Sequence, residues 1–383
     1  MVKKGYKQTE IGVIPEDWEV KPLKVVAPLQ RGFDLPYSSI KDGIYPVVFS
    51  NGIGAYHSSY MVKGPGVVMG RSGTIGKIHY VKSDYWPHNT TLWVTDFHNN
   101  DPLFASYLFK TIPWNLYNSG SGVPTLNRND VHDYLVAIPS PKEQTEIAAI
   151  LSDVDTLINS LKRQIVKKKA IKQGAMQELL AGKRRLPGFA GEWEKTVLGT
   201  VSSFCTGGTP SKKREDWWNG DIPWISSSDL TEDAITSVNI NRYISKDAVE
   251  HSATRICPKD AVLVVSRVGV GKVAVAPCEL CTSQDFTTIV PHRHNPHFLA
   301  YMLIPVMKEL AMQAQGTSIK GVTVEDIQKI IMPTPTIDEQ NQIVDILANM
   351  DSEIEALEQK LEKYSQVKQG MMQQLLTGKI RLV

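Results

Sequence analysis

The sequence predicts an α+β protein in which two mixed α/β segments alternate with two long helices. Two observations predict this architecture. The stretch from residue 140 to 186 returns from residue 336 to 382, and the segments 1–138 and 187–332 share one order of strand and helix patterns although their loops differ. A repeat of this length, interrupted by segments of globular size, indicates duplication of one structural unit.

Sequence identity runs along the whole of the repeat. Near its amino end the identical pairs are Glu143 and Glu339, Gln144 and Gln340, Ile147 and Ile343, Ile150 and Ile346, Leu151 and Leu347, Asp155 and Asp351. Near its carboxyl end the residues Gln173, Gly174, Met176, Gln177, Leu179, Leu180, Gly182, Lys183, Arg185 and Leu186 return as Gln369, Gly370, Met372, Gln373, Leu375, Leu376, Gly378, Lys379, Arg381 and Leu382.

Each copy carries signals for the start and the end of a helix. Ser140-Pro-Lys-Glu143 and Thr336-Ile-Asp-Glu339 match a capping box, in which the hydroxyl and the carboxylate bind the first free backbone N–H groups. Gly182 and Gly378 follow the last apolar pair and can take the left-handed conformation that ends a helix. At 1.5 Å per residue, each helix should be on the order of 55–60 Å long.

Apolar residues recur in both copies at alternating steps of four and three, which predicts a heptad seam. The seam residues are Ile147, Leu151, Val154, Ile158, Leu161 and Ile165 in the first copy, and Ile343, Leu347, Met350, Ile354, Leu357 and Leu361 in the second. A single amphipathic helix could instead cover its own domain. Two matching seams are most economically buried by pairing the helices as an antiparallel coiled coil.

The charges beside the two seams differ in sign. The first copy carries Lys162, Arg163, Lys167, Lys168, Lys169 and Lys172, whereas the second carries Asp351, Glu353, Glu355, Glu358 and Glu362, with only Lys360, Lys363 and Lys368 among them. Opposite charges beside a seam help to select the partner helix and its direction. The basic run could also be a nucleic-acid patch or a solvated face.

The bulk composition is that of an ordinary soluble protein. Of 383 residues, 42% are hydrophobic and 21% charged, and the net charge of +2 does not by itself indicate a nucleic-acid-binding protein. No apolar run approaches a membrane span, and the first residues lack the apolar core of a signal peptide, so we expect a cytoplasmic protein. The four cysteines fit a reducing compartment. Cys278 and Cys281 have half of a zinc spacing but lack a second pair, so no metal is expected.

The two mixed segments share three patterns. Residues 67–78 and 264–273 each read as a strand, a glycine turn and a second strand, residues 89–94 and 285–290 as a further strand, and residues 104–109 and 298–303 as a helix. The loop at 49–56 has no counterpart in 209–214 or 224–229. One scaffold with different surface loops suggests two related modules that recognise different targets.

No motif for catalysis is found. The glycines from Gly70 to Gly76 invite a phosphate-loop interpretation, but five residues separate them and Lys77 is followed by isoleucine, so we interpret them as a tight turn. Whether the nearby cations also touch phosphates stays open; they are Arg71, Lys77, Arg267 and Lys272. The sequence also lacks the strings of a base-methylating enzyme, a dinucleotide fold, a zinc protease and a serine hydrolase. It predicts a non-catalytic protein.

The whole chain resembles the specificity (S) subunit of type I restriction and modification systems. The resemblance is carried by Pro139-Ser-Pro141 and Pro333-Thr-Pro335, by the Glu-Gln pairs that follow them, and by the Met-Gln-x-Leu-Leu ends of the two helices. Tyr45-Pro-Val-Val-Phe-Ser-Asn-Gly52, and Gly208-Thr-Pro-Ser211 with Asp221-Ile-Pro-Trp224, add to it.

The resemblance implies a division into recognition domains and spacers. Residues 1–138 would form the first target-recognition domain, 139–186 the central conserved helical spacer, 187–332 the second target-recognition domain, and 333–383 the carboxyl-terminal conserved helical spacer. Each domain would read one half of a split DNA site, and the helices would dock two methyltransferase subunits. Because the loops differ, we expect an asymmetric bipartite site. This chain would hold no cofactor; S-adenosylmethionine would enter with the adenine methyltransferase subunits, and ATP with Mg with two restriction subunits if these exist.

For DNA contact we favour loop residues with directional hydrogen-bond donors and acceptors, since Arg pairs with guanine and Asn with adenine. The base-reading candidates are Ser50, Asn51 and Arg71 in the first segment, and Lys212, Lys213, Arg214, Ser226 and Ser228 in the second. A hypothesis of another class is a non-catalytic coiled-coil interaction or architectural protein without a methyltransferase partner. Complex formation with a methyltransferase discriminates between the two hypotheses.

Overall fold

The computed structural model describes residues 3–118, 122–232, 234–315 and 321–382. The chain divides into two compact units, and the division falls inside both long helices. Unit 1 comprises Met1–Lys162 and Gln359–Val383, and unit 2 comprises Arg163–Glu358. Each unit therefore combines one mixed segment with part of each helix, a division different from the four consecutive segments expected from the sequence.

Unit 1 contains eleven strands among its described residues. They are β1 Tyr6–Thr9, β2 Gly12–Pro15, β3 Glu19–Pro22, β4 Leu29–Arg31, β5 Tyr45–Phe49, β6 Gly52–His57, β7 Gly66–Gly70, β8 Ile78–Val81, β9 Trp86–Pro87, β10 Thr91–Val94 and β11 Leu135–Ile138. Its helices are α1 Leu23–Val26, α2 Pro102–Phe109, α3 Arg128–Val131 and the first part of α4 Pro141–Leu179.

Unit 2 contains ten strands among its described residues. They are β12 Glu194–Val197, β13 Ser202–Thr206, β14 Ile222–Ile225, β15 Tyr243–Ile244, β16 Ile256–Cys257, β17 Val262–Val265, β18 Val273–Val275, β19 Leu280–Thr282, β20 Phe286–Pro291 and β21 Ile331–Thr334. Its helices are α5 Lys246–His251, α6 Pro296–Gln315, α7 Val324–Gln328 and the first part of α8 Ile337–Leu375. The end of α4 belongs to unit 2, and the end of α8 to unit 1.

The central sheet has the same topology in both units. Its antiparallel order is β4-β10-β7-β8 in unit 1 and β13-β20-β17-β18 in unit 2. The two predicted hairpins are β7-β8 and β17-β18, the further strands are β10 and β20, and the predicted helices are α2 and α6, so these predictions are confirmed. The second sheet differs, being β6-β5-β9 in unit 1 and β15-β14-β19-β16 in unit 2. The units therefore share a scaffold and diverge in the sheet that carries the variable loops.

The ends of the long helices belong to the cores of the mixed segments. In unit 1, Ile147 and Leu151 of α4 and Leu375 of α8 lie in one buried cluster with Trp18 and Phe104. Unit 2 repeats this packing with Ile343, Leu347 and Leu179 beside Phe298 and Tyr301. Burial of apolar side chains is worth about 25 cal/mol per Å². Each helix end is therefore stabilised by packing against a mixed segment and is not a free spacer.

The two helices run antiparallel within each unit. In unit 1, Lys368 Nζ of α8 lies 2.6 Å from Asp155 Oδ1 of α4. In unit 2, three lysines of α4 pair with acids of α8: Lys172 with Asp351, Lys168 with Glu353, and Lys169 with Glu358. Late residues of one helix thus meet early residues of the other. All twelve predicted seam residues are buried or half-buried, and half of the basic run pairs with the acidic one.

The helix ends match the sequence signals in part. Gly182 and Gly378 have φ angles of 65° and 68°, which is the left-handed backbone conformation of a glycine that ends an α-helix. At the other end, Ser140 Oγ accepts a hydrogen bond from the Glu143 N–H at 3.3 Å. The Glu143 carboxylate, however, turns to Trp18 and Arg381 instead of completing the capping box. None of the helices in the described ranges combines the length and apolarity needed to cross a membrane.

Candidate nucleic-acid interface

The glycine turn of the central sheet carries one arginine in each unit, but the backbone hydrogen bonds match Arg71 with Ser266, so that Arg267 lies one residue further along its turn. Gly70 N–H donates to Lys77 O at 3.0 Å, and Val265 N–H donates to Lys272 O at the same distance. Glycines at positive φ complete both turns, as the sequence predicted. Arg71 directly follows the buried strand β7, whereas Ser266 separates Arg267 from the end of the buried strand β17.

In unit 1 the four predicted contact residues lie together. Lys77 Nζ donates to Asn51 O at 2.7 Å, and Ser50 N–H donates to Thr90 Oγ1 at 3.3 Å. Arg71 N–H donates to Thr90 O at 2.9 Å, so Thr90 connects the loop to the turn. Lys77 and Asn51 are exposed, whereas Arg71 and Ser50 are half-buried. The cluster combines two cations, an amide and a hydroxyl, which are groups that can hydrogen-bond to base edges.

Two histidines that sequence reasoning missed line this cluster. His79 Nε2 lies 3.4 Å from Ser50 O, and His88 Nδ1 lies 3.1 Å from Thr90 Oγ1. Burial lowers the pKa of both imidazoles. Both imidazoles are therefore neutral near pH 7. They can form hydrogen bonds but carry no positive charge to attract a phosphate. Thr90 itself could have been found from its place in the strand pattern next to the turn.

In unit 2 the lysine of the turn supports the variable loop from inside. Lys272 Nζ donates to Ser227 O at 3.1 Å and to Leu230 O at 2.9 Å. The sequence suggested a phosphate contact for Lys272, whereas its half-buried ammonium has two carbonyl partners within the chain. The hydroxyls of Ser226 and Ser228 lie 2.9 Å apart in the loop it supports.

Arg242, which the sequence did not single out, completes this loop. Its Nη2 donates to Ser226 Oγ at 2.8 Å and also pairs with Asp229, and its guanidinium lies 4.7 Å from the Trp224 ring centroid. The Ser226 hydroxyl is therefore engaged within the chain. Ser228 is exposed and remains the more available of the two predicted serines.

The basic loop at 212–214 is exposed, but its three cations are not equivalent. Arg214 Nε and Nη2 donate to the two carboxylate oxygens of Asp216 at 2.9 and 2.6 Å, which raises the pKa of Arg214. Its charge is compensated within the loop. Across the ranges that the structure covers, Lys212 and Lys213 form no ion pair. These two lysines are better placed to meet a phosphate.

Arg267 is exposed at the rim of a cavity of about 470 Å³ in unit 2. Gln284 also lines this cavity and accepts a hydrogen bond from Thr209 Oγ1. Among the described residues no hydrogen bond or ion pair joins Arg267 to Lys212, Lys213 or Ser228. Gln284 was missed because it stands outside every motif.

The cysteines show no metal-binding arrangement. Cys257 and Cys281 are buried, and Cys205 and Cys278 are half-buried. Within the residues that the structure describes, no group of three or more His, Cys, Asp or Glu side chains could hold a metal ion.

The two units have the same central sheet and different candidate contact loops. This arrangement is typical of a protein with two related recognition modules. The model of the type I restriction modification DNA specificity domain matches residues 15–171 and 190–365. The chain belongs to this family, and its role is that of a type I restriction–modification specificity subunit, in which DNA sequence recognition resides.

Several curated relatives agree with this family. A Methanocaldococcus jannaschii protein assigned as the specificity subunit of the type I restriction enzyme MjaX is 25% identical over 427 aligned residues, which span 99% of this chain and 97% of the relative. The MjaIX specificity subunit of the same organism is 32% identical over 43% of this chain and 39% of the relative. The EcoR124I/EcoR124II specificity subunit of Escherichia coli is 28% identical over 59% of this chain and 56% of the relative.

Solved structures share the fold at low identity. The type I restriction–modification S subunit from M. genitalium superposes with a TM-score of 0.67 at 14% identity, over 94% of this chain and 96% of that chain. A chain from a study of complex assembly and conformational transition of the type I system gives a TM-score of 0.55 at 18% identity, over 96% of this chain and 99% of that chain.

Proposed function

We propose that each unit reads one half of an asymmetric bipartite DNA site, and that the chain thereby directs adenine methyltransferase subunits to that site. The observation that carries this proposal is the identical order of the central sheet in two units whose second sheets and loops differ. A common scaffold offers each loop set to DNA in the same way, whereas different side chains in the loops select different bases.

The partners follow from the repeat and from the relatives. The relatives are named as subunits of type I restriction enzymes, and one structural neighbour comes from work on the assembly of that system. A helix repeat present twice provides two equivalent attachment sites, which fits two methyltransferase subunits. We take S-adenosylmethionine to be held by those subunits, and ATP with Mg by two restriction subunits where these are present, while this chain supplies recognition without catalysis.

The proposal is tested by mapping adenine methylation in the genome of the source strain with this gene intact and deleted. Loss of methylation at one split, asymmetric motif is the expected result, and it also yields the recognised sequence. A palindromic motif would contradict the assignment of different half-sites to the two units. An unchanged methylation map would contradict the role in directing methylation and would favour an architectural protein.

The two arginines of the glycine turns, one in each unit, can be used to assign half-sites to units. Arg71→Ala should weaken recognition of one half-site, and Arg267→Ala that of the other, since each arginine belongs to the glycine turn of a different unit. A bidentate arginine contact to guanine is worth about 1–3 kcal/mol of discrimination. Methylation rates of the reconstituted complex on DNA with substitutions in either half measure this. Equal loss on both half-sites from either variant would reject the assignment.

A further inference from the structure

An exposed tyrosine forms the end of a stack of aromatic rings in unit 1. Tyr37 is 75% exposed, and its ring lies flat on the ring of Phe49, with the centroids 5.5 Å apart and the planes inclined by 8°. Phe49 is buried and also packs on the imidazole of His88, with 4.4 Å between the centroids. One face of the tyrosine ring is therefore covered, and the other is open to solvent. We call these three residues the ring stack.

The local structure holds the ring stack in place. Tyr37 begins a short 3-10 turn, and Leu35 before it and Ile40 after it pack into the same small apolar cluster as Phe49. On strand β6, a Cβ at Gly54 would lie only 2.8 Å from Cδ2 of Phe49, so glycine at this position lets the phenylalanine ring keep its place. Tyr37 is thus supported before anything binds, which lowers the entropy cost of binding.

The ring stack borders the cluster of predicted DNA contacts in unit 1. Phe49 directly precedes Ser50 and Asn51 in the chain. His88 Nδ1 lies 3.1 Å from Thr90 Oγ1, and the same oxygen accepts a hydrogen bond from Ser50 N–H at 3.3 Å. The open tyrosine face therefore lies beside groups that can hydrogen-bond to base edges.

No such arrangement is found in the part of unit 2 that the structure describes. The ring pairs Trp218–Trp224 and Trp193–Phe298 cross at 82° and 72°, so both are edge-to-face. Tyr243 is 43% exposed, but within those described residues no ring stacks on it. A supported aromatic ring with an open face is therefore a property of unit 1 and does not belong to the scaffold that the two units share.

We infer that the open face of Tyr37 stacks on a base at one opened step of the DNA, next to the half-site that unit 1 reads. This inference rests on the proposed function, in which unit 1 reads one half-site. An intact duplex exposes the edges of its bases in the grooves and covers their faces by stacking. A flat ring therefore finds a matching base face only where a step is opened, as occurs when proteins insert side chains between base pairs.

The ring and the cluster divide the work of recognition. Stacking on an aromatic ring accepts every base, so Tyr37 adds affinity and opens the step, while the hydrogen-bonding groups of the cluster select the bases. The opened step still influences specificity, because pyrimidine–purine steps unstack most easily. We therefore expect unit 1, and not unit 2, to favour such a step beside its half-site.

The test uses the full chain assembled with its methyltransferase subunits and a duplex that contains the recognised site. Single positions in and beside each half-site carry 2-aminopurine, whose fluorescence rises when it is unstacked. The methylated adenines stay unlabelled, because a methyltransferase takes its target base out of the stack. Wild type should brighten the probe beside the half-site of unit 1, which Arg71→Ala identifies. Tyr37→Ala should abolish this signal and weaken binding by about tenfold or more, whereas Tyr37→Phe should retain both.

Two further variants separate the ring stack from its surroundings. Tyr56→Ala removes another exposed tyrosine of unit 1, on β6 and 55% exposed, and should leave signal and affinity unchanged. Gly54→Ala places a Cβ against Phe49 and should reduce the signal although Tyr37 is intact. Because Tyr37 is largely exposed, Tyr37→Ala should not change the melting temperature, which separates a loss of binding from a loss of folding.

The outcomes distinguish this inference from the proposed function. If Tyr37→Ala leaves the signal and the affinity unchanged on a site that is still bound selectively, the stacking site is rejected and the proposed function stands. An equal loss in Tyr56→Ala also rejects it. If no probe brightens in wild type and replacing thymine by uracil weakens binding as Tyr37→Ala does, the ring contacts a thymine methyl group and the opened step is rejected. If wild type does not discriminate the site, both proposals fail.

Discussion

Replacing Arg381 with methionine should destabilise unit 1 while leaving unit 2 folded. Arg381 donates from Nε to Glu143 Oε1 at 2.6 Å and from Nη2 to Glu143 Oε2 at 2.9 Å. The Glu143 side chain has no exposed surface, and Trp18 Nε1 donates to the same carboxylate at 3.0 Å. These carboxylate contacts, with those of Asp17, raise the pKa of Arg381, which therefore stays charged.

The magnitude follows from leaving Glu143 buried without its cation. Removing one partner of a buried ion pair costs about 3–5 kcal/mol. We expect the lower end, about 3 kcal/mol, because 21% of the Arg381 side chain is exposed and Trp18 still donates to the carboxylate. The contact to Asp17, whose side chain is 59% exposed, adds little.

The assay is urea unfolding combined with hydrogen exchange resolved by peptide. Exchange in peptides of unit 1 should accelerate and that in unit 2 should not. Arg185→Met is the matched control, because Arg185 Nε donates to the buried Glu339 at 2.8 Å in unit 2 and its loss should destabilise that unit instead. Adding Glu143→Gln to Arg381→Met should recover part of the loss, since no charge is then buried alone. A loss below about 1 kcal/mol from Arg381→Met would refute the reasoning.

Three further predictions concern the loop of unit 2, pH and thiol reactivity. Lys272→Met removes two hydrogen bonds to loop carbonyls and should lower the free energy of unfolding in urea by about 1–3 kcal/mol. It should impair recognition of one half-site only, and equal impairment of both half-sites would contradict this prediction. Burial depresses the pKa of His79 and His88, so their contribution to stability is complete above the unfolded value near 6.5 and is lost as pH falls. The melting temperature should therefore fall between about pH 7.5 and 5.5, and less so in His88→Gln; identical slopes would exclude His88 as a cause. Burial raises the pKa of Cys281 to about 11, so iodoacetamide should label it more slowly than the half-buried Cys278, and equal rates by peptide mass spectrometry would oppose this.

Local patterns in the sequence were sufficient for the elements and for their duplication. The glycine turn between β7 and β8 was predicted from residues a few positions apart, and its hydrogen bond from Gly70 to Lys77 is local. The ends of α4 and α8 were predicted from Gly182 and Gly378, whose φ angles depend on adjacent residues. Capping residues and heptad positions likewise act on neighbours within one or two turns.

The candidate interface was predicted only as a set of residue types. In unit 1 the loop and the turn converge through Thr90, and the predicted Ser50, Asn51, Arg71 and Lys77 lie together. In unit 2 the equivalent lysine, Lys272, instead donates to carbonyls of the loop that carries Ser226 and Ser228. The second sheet also differs in strand order between the units, and this order was not readable from the sequence.

The sequence by itself determined that the chain is a duplication, where its two long helices begin and end, and which positions form the seams, because these properties depend on periodicity and on near neighbours. Only the tertiary structure decided that Glu143 binds Arg381 from the far end of the chain, that Arg185 binds Glu339 in the same way within unit 2, and that the ends of both helices fold into the cores of the mixed segments. A buried carboxylate needs a cation beside it. Which cation lies beside it depends on contacts between residues far apart in the sequence, and local sequence patterns do not specify such contacts.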